Sequence, residues 1–144
     1  MSSNVRLIDP ATGLAYRAGG AADASGNSTA VQTASSSATI APSAAQTAVA
    51  AGSLILKASA GNVYGYEVCA GASAGYLMLF DSATVPADGT VTPRRVHAIA
   101  ANASLSRSFN PPLRCTTGIT LVFSTTGPFT KTISATAFLA GDYV

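Results

Sequence analysis

The chain has 144 residues, enough for one ordinary domain, and only 10% of them are charged, against about 25% in a typical soluble domain. Its net charge of +2 is spread along the sequence rather than clustered, so we expect no nucleic-acid partner. No basic and apolar leader of the secretory type opens the sequence, and no run approaches the roughly 18 apolar residues of a membrane helix, so neither export nor a membrane partner is expected.

Two short apolar runs lie near the start of the chain, on either side of Asp-Pro-Ala-Thr-Gly, whose residue types favour a turn. The pattern predicts a short hairpin near residues 5–17. An isolated hairpin is barely stable in water, so its apolar side chains need another surface to pack against. We expect five of them to bind a neighbouring subunit: Val5, Leu7, Ile8, Leu14 and Tyr16.

No charged residue occurs from Ala24 to Leu56, and small residues dominate up to about residue 51. Small side chains bury too little apolar area to offset roughly 1–2 kcal/mol of backbone entropy per residue, so this stretch is not expected to fold alone. An Ala-rich run at residues 44–51 is compatible with a short helix, with Ser43 as its N-cap. The sequence predicts a long extended N-terminal arm over residues 1–52, which adds a strand to a neighbour's sheet.

After residue 52 the sequence changes to short runs with period-two alternation, separated by Gly, Pro, Asn and Asp, which is typical of strands and turns. Such runs predict seven strands, near residues 53–59, 62–69, 75–81, 94–100, 103–109, 118–124 and 130–139. With no long amphipathic helix between them, they indicate an all-β domain over residues 53–144, an antiparallel β-sandwich or jelly roll.

Two of the predicted strands differ in their patterns. Residues 76–80, Tyr-Leu-Met-Leu-Phe, lack alternation, which predicts a central strand buried on both faces. Residues 119–124 alternate Ile, Leu and Phe with Thr, Val and Ser, which predicts one face in the core and the other wet or lightly covered.

Titratable groups are few after residue 52: Glu67, Asp81, Asp88, Asp142 and His97. General acid–base catalysis needs two such groups brought together, and no spacing here indicates it. Asp88 lies in a Pro-Ala-Asp-Gly turn, Glu67 is expected to pair with an arginine across the sheet, and His97 is expected to be a half-buried strand residue. We predict no catalytic residue, no cofactor and no metal site.

Ser73 lies in Gly-Ala-Ser-Ala-Gly, which matches the Gly-x-Ser-x-Gly string of hydrolases. That string works on a turn from a strand to a helix, whereas the next segment here is a predicted strand, so a hydrolase is the weakest interpretation. Cys69 and Cys115 form neither a Cys-x-x-Cys motif nor a zinc site. Two states stay open for them: reduced buried thiols, or a disulfide formed after release from the cell.

Arg94 and Arg95 are the one local concentration of charge. Two hypotheses stand for them: contact with an acidic neighbouring subunit, or solvated protection of an edge strand. Three tyrosines, Tyr64, Tyr66 and Tyr76, suggest a stacking platform for a glycan, although tryptophan, the usual ring for that task, is missing.

Three stretches, at residues 5–16, 74–89 and 123–132, resemble small proteins from the structural-gene regions of tailed bacteriophages. The resemblance implies a virion component such as a capsid decoration (cement) protein, assembled in the bacterial cytoplasm. The compact sandwich and the long arm predict that it stabilises the shell by arm exchange with neighbouring subunits. Its expected partners are the major capsid protein or other virion subunits and copies of itself, a trimer being favoured. The predicted interface comprises Val5, Leu7, Ile8, Leu14, Tyr16, Arg94 and Arg95. A collar, neck or tail-fibre attachment protein and a glycan-binding β-sandwich module are the alternatives.

Overall fold

The computed structural model describes residues 6–8, 15–17 and 41–144, and the chain divides into two units, Met1–Ile40 and Ala41–Val144. In the first unit, β1 (Arg6–Ile8) pairs antiparallel with β2 (Ala15–Arg17), with Leu7 opposite Tyr16. This pairing lies within the region where the sequence predicts a hairpin.

The second unit contains ten strands and no helix. They are β3 (Ser43–Gln46), β4 (Ser53–Lys57), β5 (Gly61–Ala70), β6 (Gly75–Phe80), β7 (Gly89–Thr90), β8 (Arg95–Ile99), β9 (Ser104–Cys115), β10 (Ile119–Ser124), β11 (Thr130–Lys131) and β12 (Ala137–Tyr143). All strand pairs are antiparallel, as expected for chain segments joined by short turns.

Two four-stranded sheets build the domain, in the orders β3-β12-β5-β9 and β4-β10-β6-β8. Inward side chains of both sheets meet in one apolar core, as predicted for an antiparallel β-sandwich. The core comprises Leu56, Val63, Tyr66, Val68, Ala70, Leu77, Leu79, Ile99, Cys115, Ile119, Leu121, Phe123, Ala137 and Leu139. The edge strands are β3 and β9 in one sheet, and β4 and β8 in the other.

Strand β6 is central, and Leu77, Met78, Leu79 and Phe80 are all buried, which confirms the prediction from its unbroken apolar run. The prediction for β10 is wrong, since the residues on its second face are fully buried as well. A second apolar cluster lies over that face, in which Val85 and Val91 from the segment after β6 pack with partners from the sheet. The second face of β10 is therefore covered in part by a connecting segment that is distant from it in sequence.

The compact domain begins at Ala41, earlier than the boundary predicted after residue 52. The short helix with which residues 44–51 are compatible does not form, because this stretch lies along β12. Thr47 attaches this stretch to β12 by two hydrogen bonds: its backbone N–H donates to the Leu139 carbonyl at 2.9 Å, and its hydroxyl accepts the Leu139 N–H at 3.1 Å. A sheet edge supplies the backbone hydrogen bonds that an isolated Ala-rich segment would seek in a helix.

The last predicted strand, residues 130–139, is divided in two. Its start, β11, pairs with β7, whereas β12 lies between β3 and β5 in one of the four-stranded sheets. In the other direction, β9 is longer than predicted and runs through Pro111 and Pro112. Proline is tolerated there because β9 is an edge strand, whose outer side has no ladder partner to satisfy.

Candidate functional site

Asp81 directly follows β6, and its carboxylate accepts hydrogen bonds from the turn between β9 and β10. It receives N–H bonds from Thr116 at 2.9 and 3.0 Å, from Thr117 at 2.7 Å and from Gly118 at 3.3 Å, together with the Thr116 hydroxyl at 3.1 Å. These donors, with the Thr116 backbone first, lower the pKa of Asp81 from 3.8 to about 2 against the opposing effect of burial. The carboxylate is thus a structural acceptor that joins two loops.

The turn held by Asp81 packs closely on the chain that follows Asp81. A Cβ atom added to Gly118 would lie 2.5 Å from the Cα of Ala83, so any larger residue would push the two loops apart. Glycine at this position therefore permits the close approach that the Asp81 hydrogen bonds require.

Arg94 belongs to the same structural group. It lies just before β8, and its Nη1 atom is 3.3 Å from Asp81 Oδ2 and also donates to the carbonyl of Arg114. Arg95 is exposed and donates to the carbonyl of Arg94 at 2.9 Å. The two arginines predicted as an interface pair therefore differ: Arg94 joins loops within the domain, while the charge of Arg95 is left for solvent or a partner.

Lys131 on β11 is buried, with 2% of its side chain exposed, and forms an ion pair with Asp88. Asp88 also accepts the Ile133 N–H at 3.2 Å. The hydrogen bond from Lys131 is the main cause that lowers the pKa of Asp88. Asp88 is in the segment predicted as a turn, but nothing in the alternation of the sequence around Lys131 marks a buried ammonium group.

Tyr66 on β5 and His97 on β8 connect the two sheets, with a hydrogen bond of 2.8 Å between Tyr66 Oη and His97 Nε2. The ring of Phe109 packs edge-on against Tyr66, with 5.4 Å between the ring centroids. His97 is half-buried on its strand, as predicted. Burial raises the pKa of Tyr66 and lowers that of His97, and the nearby cations of Arg107 and Arg95 lower the His97 pKa further.

The three tyrosines suggested as a glycan platform do not share an exposed face. Tyr66 is only 3% exposed and belongs to the core. Tyr76 lies in the other sheet, where its ring is so close to the backbone at Gly127 that a Cβ there would be 2.6 Å from the ring. Tyr64 is half-buried on β5. The stacking surface that a glycan-binding module needs is therefore not formed by these residues.

Glu67 on β5 and Asp142 on β12 are exposed on the outer face of the sheet β3-β12-β5-β9. The arginine partner predicted for Glu67 is not found: within residues 41–144 the ion pairs are Arg94–Asp81 and Lys131–Asp88. The register explains this, because Arg107 is opposite Tyr66 and so lies on the inner face, while Glu67 is opposite Ser106. The two carboxylates border a shallow groove of about 290 Å³.

Ser73 lies in the exposed turn between β5 and β6, and the segment after it is a strand rather than the helix of a nucleophile elbow. Cys69 and Cys115 are both free thiols, the first half-buried and the second buried. Among the described residues, no three His, Cys, Asp or Glu side chains come together as a metal site, and no helix there is long and apolar enough to cross a membrane.

The predicted anchors of the N-terminal arm cannot be placed in the same way. Val5 and Leu14 lie outside the described residues, as does most of the predicted arm. For Leu7, Ile8 and Tyr16 the backbone pairing of β1 and β2 is known, and the positions of their side chains lie outside the described part of the chain. No family model, no curated protein and no solved structure matches this chain.

Proposed function

We propose that this protein is a non-enzymatic structural subunit of a virus particle, a capsid decoration protein of a tailed bacteriophage. Its β-sandwich would serve as the rigid body, and its N-terminal segment would bind neighbouring subunits. The observation that carries the proposal is the contrast between two parts of one chain. Residues 41–144 form a compact unit with its own core, while the stretch from Ala24 to Ile40 is uncharged and built of small residues.

The polar groups of the sandwich support a structural role. Asp81 and Arg94 hold loops together at one end, and Asp88 neutralises the buried Lys131. Each of these groups is used within the domain, and the acceptors are saturated by backbone donors or by a cation.

The low proportion of charged residues supports the proposal that other subunits cover much of the surface of this protein. Permanent interfaces are more apolar than free protein surface and often exceed about 2,000 Å². Only 10% of this chain is charged, and the two described ion pairs already use four of those charged side chains. The resemblance to small phage structural proteins points to the same class of function.

The proposal is tested by gradient sedimentation of a lysate that contains the native protein, followed by mass spectrometry of each fraction. We expect the chain to travel with particles of megadalton mass and to be released only by denaturants. If it sediments as a small free protein while phage particles are present in the same gradient, the proposal is wrong.

A binding experiment separates the roles of the two parts. Purified full-length chain and a variant of residues 41–144 are each added to particles that lack the protein. We expect both to fold, since the core lies within residues 41–144, and only the full chain to stay bound through the gradient. Equal retention of the two would show that the N-terminal segment is not the binding element.

Imaging with gold-labelled antibody then gives the position in the particle. We expect label over the whole capsid surface. Label at a single vertex or on the tail would contradict decoration and would identify a collar, neck or tail component instead.

A further inference from the structure

Two arginines lie on the inner faces of edge strands in opposite sheets. On β8, Arg95 is paired with Leu79 and His97 with Leu77, and both leucines are core residues. Directly opposed residues of an antiparallel pair point to the same face, so Arg95 and His97 face the space between the sheets. By the same reasoning Arg107 on β9, which is paired with the core residue Tyr66, faces that space from the other sheet.

These arginines flank Tyr66 and His97, whose hydrogen bond joins the two sheets between the edge strands β8 and β9. Phe109, two residues after Arg107, packs on the Tyr66 ring. Both Arg95 and Arg107 are exposed, and within residues 41–144 neither forms an ion pair. We call this opening, with its two uncompensated cations, the arginine edge.

A surface of opposite charge lies on the outer face of the β9-containing sheet. Glu67 is paired with Ala140, and Asp142 with Gly65, so the two carboxylates are diagonal neighbours on that face. The groove beside them is lined mostly by small residues, among them Gly65, Ser106 and Ala140, and Arg107 also borders it, with its backbone carbonyl beside Gly65. In residues 41–144 neither carboxylate has a cationic partner. We call this surface the carboxylate groove.

We infer that the arginine edge of one copy binds the carboxylate groove of a second copy, with Arg107 of the first facing Glu67 of the second and Arg95 facing Asp142. Charge complementarity supports this occupant: within residues 41–144, two cations without an ion pair lie on the inner faces of edge strands, and two carboxylates without an ion pair lie on the outer face of one sheet. Small lining residues leave space for arginine side chains, whose planar guanidinium groups bind carboxylates through two parallel hydrogen bonds.

The two surfaces differ, so the contact is heterologous, and repeated contacts of this type produce a ring when the rotation closes. The inference deepens the proposed function and rests on it, because it names the surfaces through which copies of a decoration protein would meet. The competing explanation is that inward-pointing arginines only protect the edges of the sheets from strand pairing. Edge protection alone predicts no effect of these charges on self-association.

The test is sedimentation velocity of the purified full-length chain and of charge-reversal variants. We expect wild-type protein to associate at about 50 mM NaCl and less at about 500 mM, because salt screens exposed ion pairs. Glu67→Arg and Arg107→Glu should each weaken association more than about tenfold. A chain carrying both Glu67→Arg and Arg107→Glu should recover association, since each reversed charge then meets its complement.

Arg114→Glu is the matched control, because Arg114 is on the same strand as Arg107 but faces outward. Its neighbour Leu113 is opposite the core residue Val63 and so faces inward, and successive residues of a strand point to opposite faces. Arg114→Glu changes net charge as Arg107→Glu does and should leave association unchanged. Glu67→Arg lies on an exposed surface away from the core, so the test does not depend on the folding of the Arg107 variant, which circular dichroism checks.

Wild-type protein that stays monomeric at about 50 mM NaCl, or single reversals that associate as wild type does, would overturn the inference. So would a double variant that fails to recover although it is folded. Particle binding is measured separately. If the wild-type chain binds particles but the charge-reversal variants self-associate as wild type does, the interface is wrong and the proposed function is not affected. If the chain self-associates as described but never sediments with particles, the proposed function is wrong and the contact between copies is supported.

Discussion

Both carboxylate oxygens of Asp81 accept the backbone N–H of Thr116, at 2.9 and 3.0 Å, across a sequence separation of 35 residues. The carboxylate also receives the next two N–H groups of the same turn. Three successive backbone donors therefore converge on one side chain at the end of β6. This contact fixes the turn between β9 and β10 in the way that an N-cap residue fixes the first turn of a helix.

Asp81→Asn should lower the free energy of unfolding by about 1–3 kcal/mol, because the amide replaces one acceptor oxygen with a donor and leaves N–H groups of the turn unsatisfied. Urea denaturation monitored by circular dichroism gives the change. Asp142→Asn is the control, since that carboxylate is exposed and has no ion pair within residues 41–144, and it should change stability by less than about 0.5 kcal/mol. Equal effects of the two substitutions would contradict the role of Asp81.

Acid should destabilise the domain through the same carboxylate. The pKa of Asp81 is lowered from 3.8 in the unfolded chain to about 2 in the folded protein, so the unfolded state binds more protons between these values. The stabilisation is complete above about pH 4 and is lost as the pH falls through about 2. Thermal melts from pH 6 to pH 2 should show a steeper decline in wild type than in Asp81→Asn, and parallel curves would exclude this coupling.

Removing Asp88 should be worse than removing Lys131. Asp88→Asn leaves the buried Lys131 ammonium without its counterion, whereas Lys131→Met removes the buried charge and keeps an unbranched chain of similar volume. We expect the order of stability wild type, Lys131→Met, Asp88→Asn in urea titrations. A double variant with both substitutions should be more stable than Asp88→Asn alone, and the opposite order would show that the ion pair is not what holds this region.

His97 should titrate below its ordinary pKa of 6.5, because burial and the cations of Arg107 and Arg95 disfavour the imidazolium. The chemical shift of its ring protons, followed by NMR against pH, measures this directly. Arg107→Gln should move the His97 pKa upward, while Arg114→Gln, on the outward side of β9, should leave it unchanged. A His97 pKa above 6.5 in wild type would contradict the placement of Arg107 on the inner face.

Local patterns in the sequence predicted much of the fold because strand periodicity is a local property. Alternation and turn residues placed β4, β5, β6, β8 and β10 within a few residues, and the unbroken apolar run of β6 correctly predicted a central strand. The second face of β10 was predicted wet, although Thr120, Val122 and Ser124 are fully buried. The cover over that face includes the segment after β6, and its position depends on tertiary packing that no local pattern encodes.

The site residues follow the same division. Sequence position suggested a half-buried strand position for His97, and the structure agrees. The local turn role suggested for Asp88 is not observed, because its carboxylate pairs with Lys131 and accepts the Ile133 N–H, both distant in sequence. The sequence did not indicate that Lys131 is buried or that Asp81 accepts hydrogen bonds from a turn 35 residues away. Nor did it indicate that Glu67 and Arg107 point to opposite faces of their sheet. Each of these facts depends on which strands are neighbours and in what register.

By itself, the sequence determined that the chain after residue 52 is all-β, that the stretch before it from Ala24 is uncharged and rich in small residues, and where most strands lie. Only the tertiary structure decided that residues 43–51 join the sheet as an edge, and that Arg107 and Glu67, on neighbouring strands, face opposite sides of their sheet. The physical reason is that backbone propensity and side-chain alternation act over a few residues. Hydrogen-bond partners, burial and the face that a charge occupies are decided by strand pairing between distant parts of the chain.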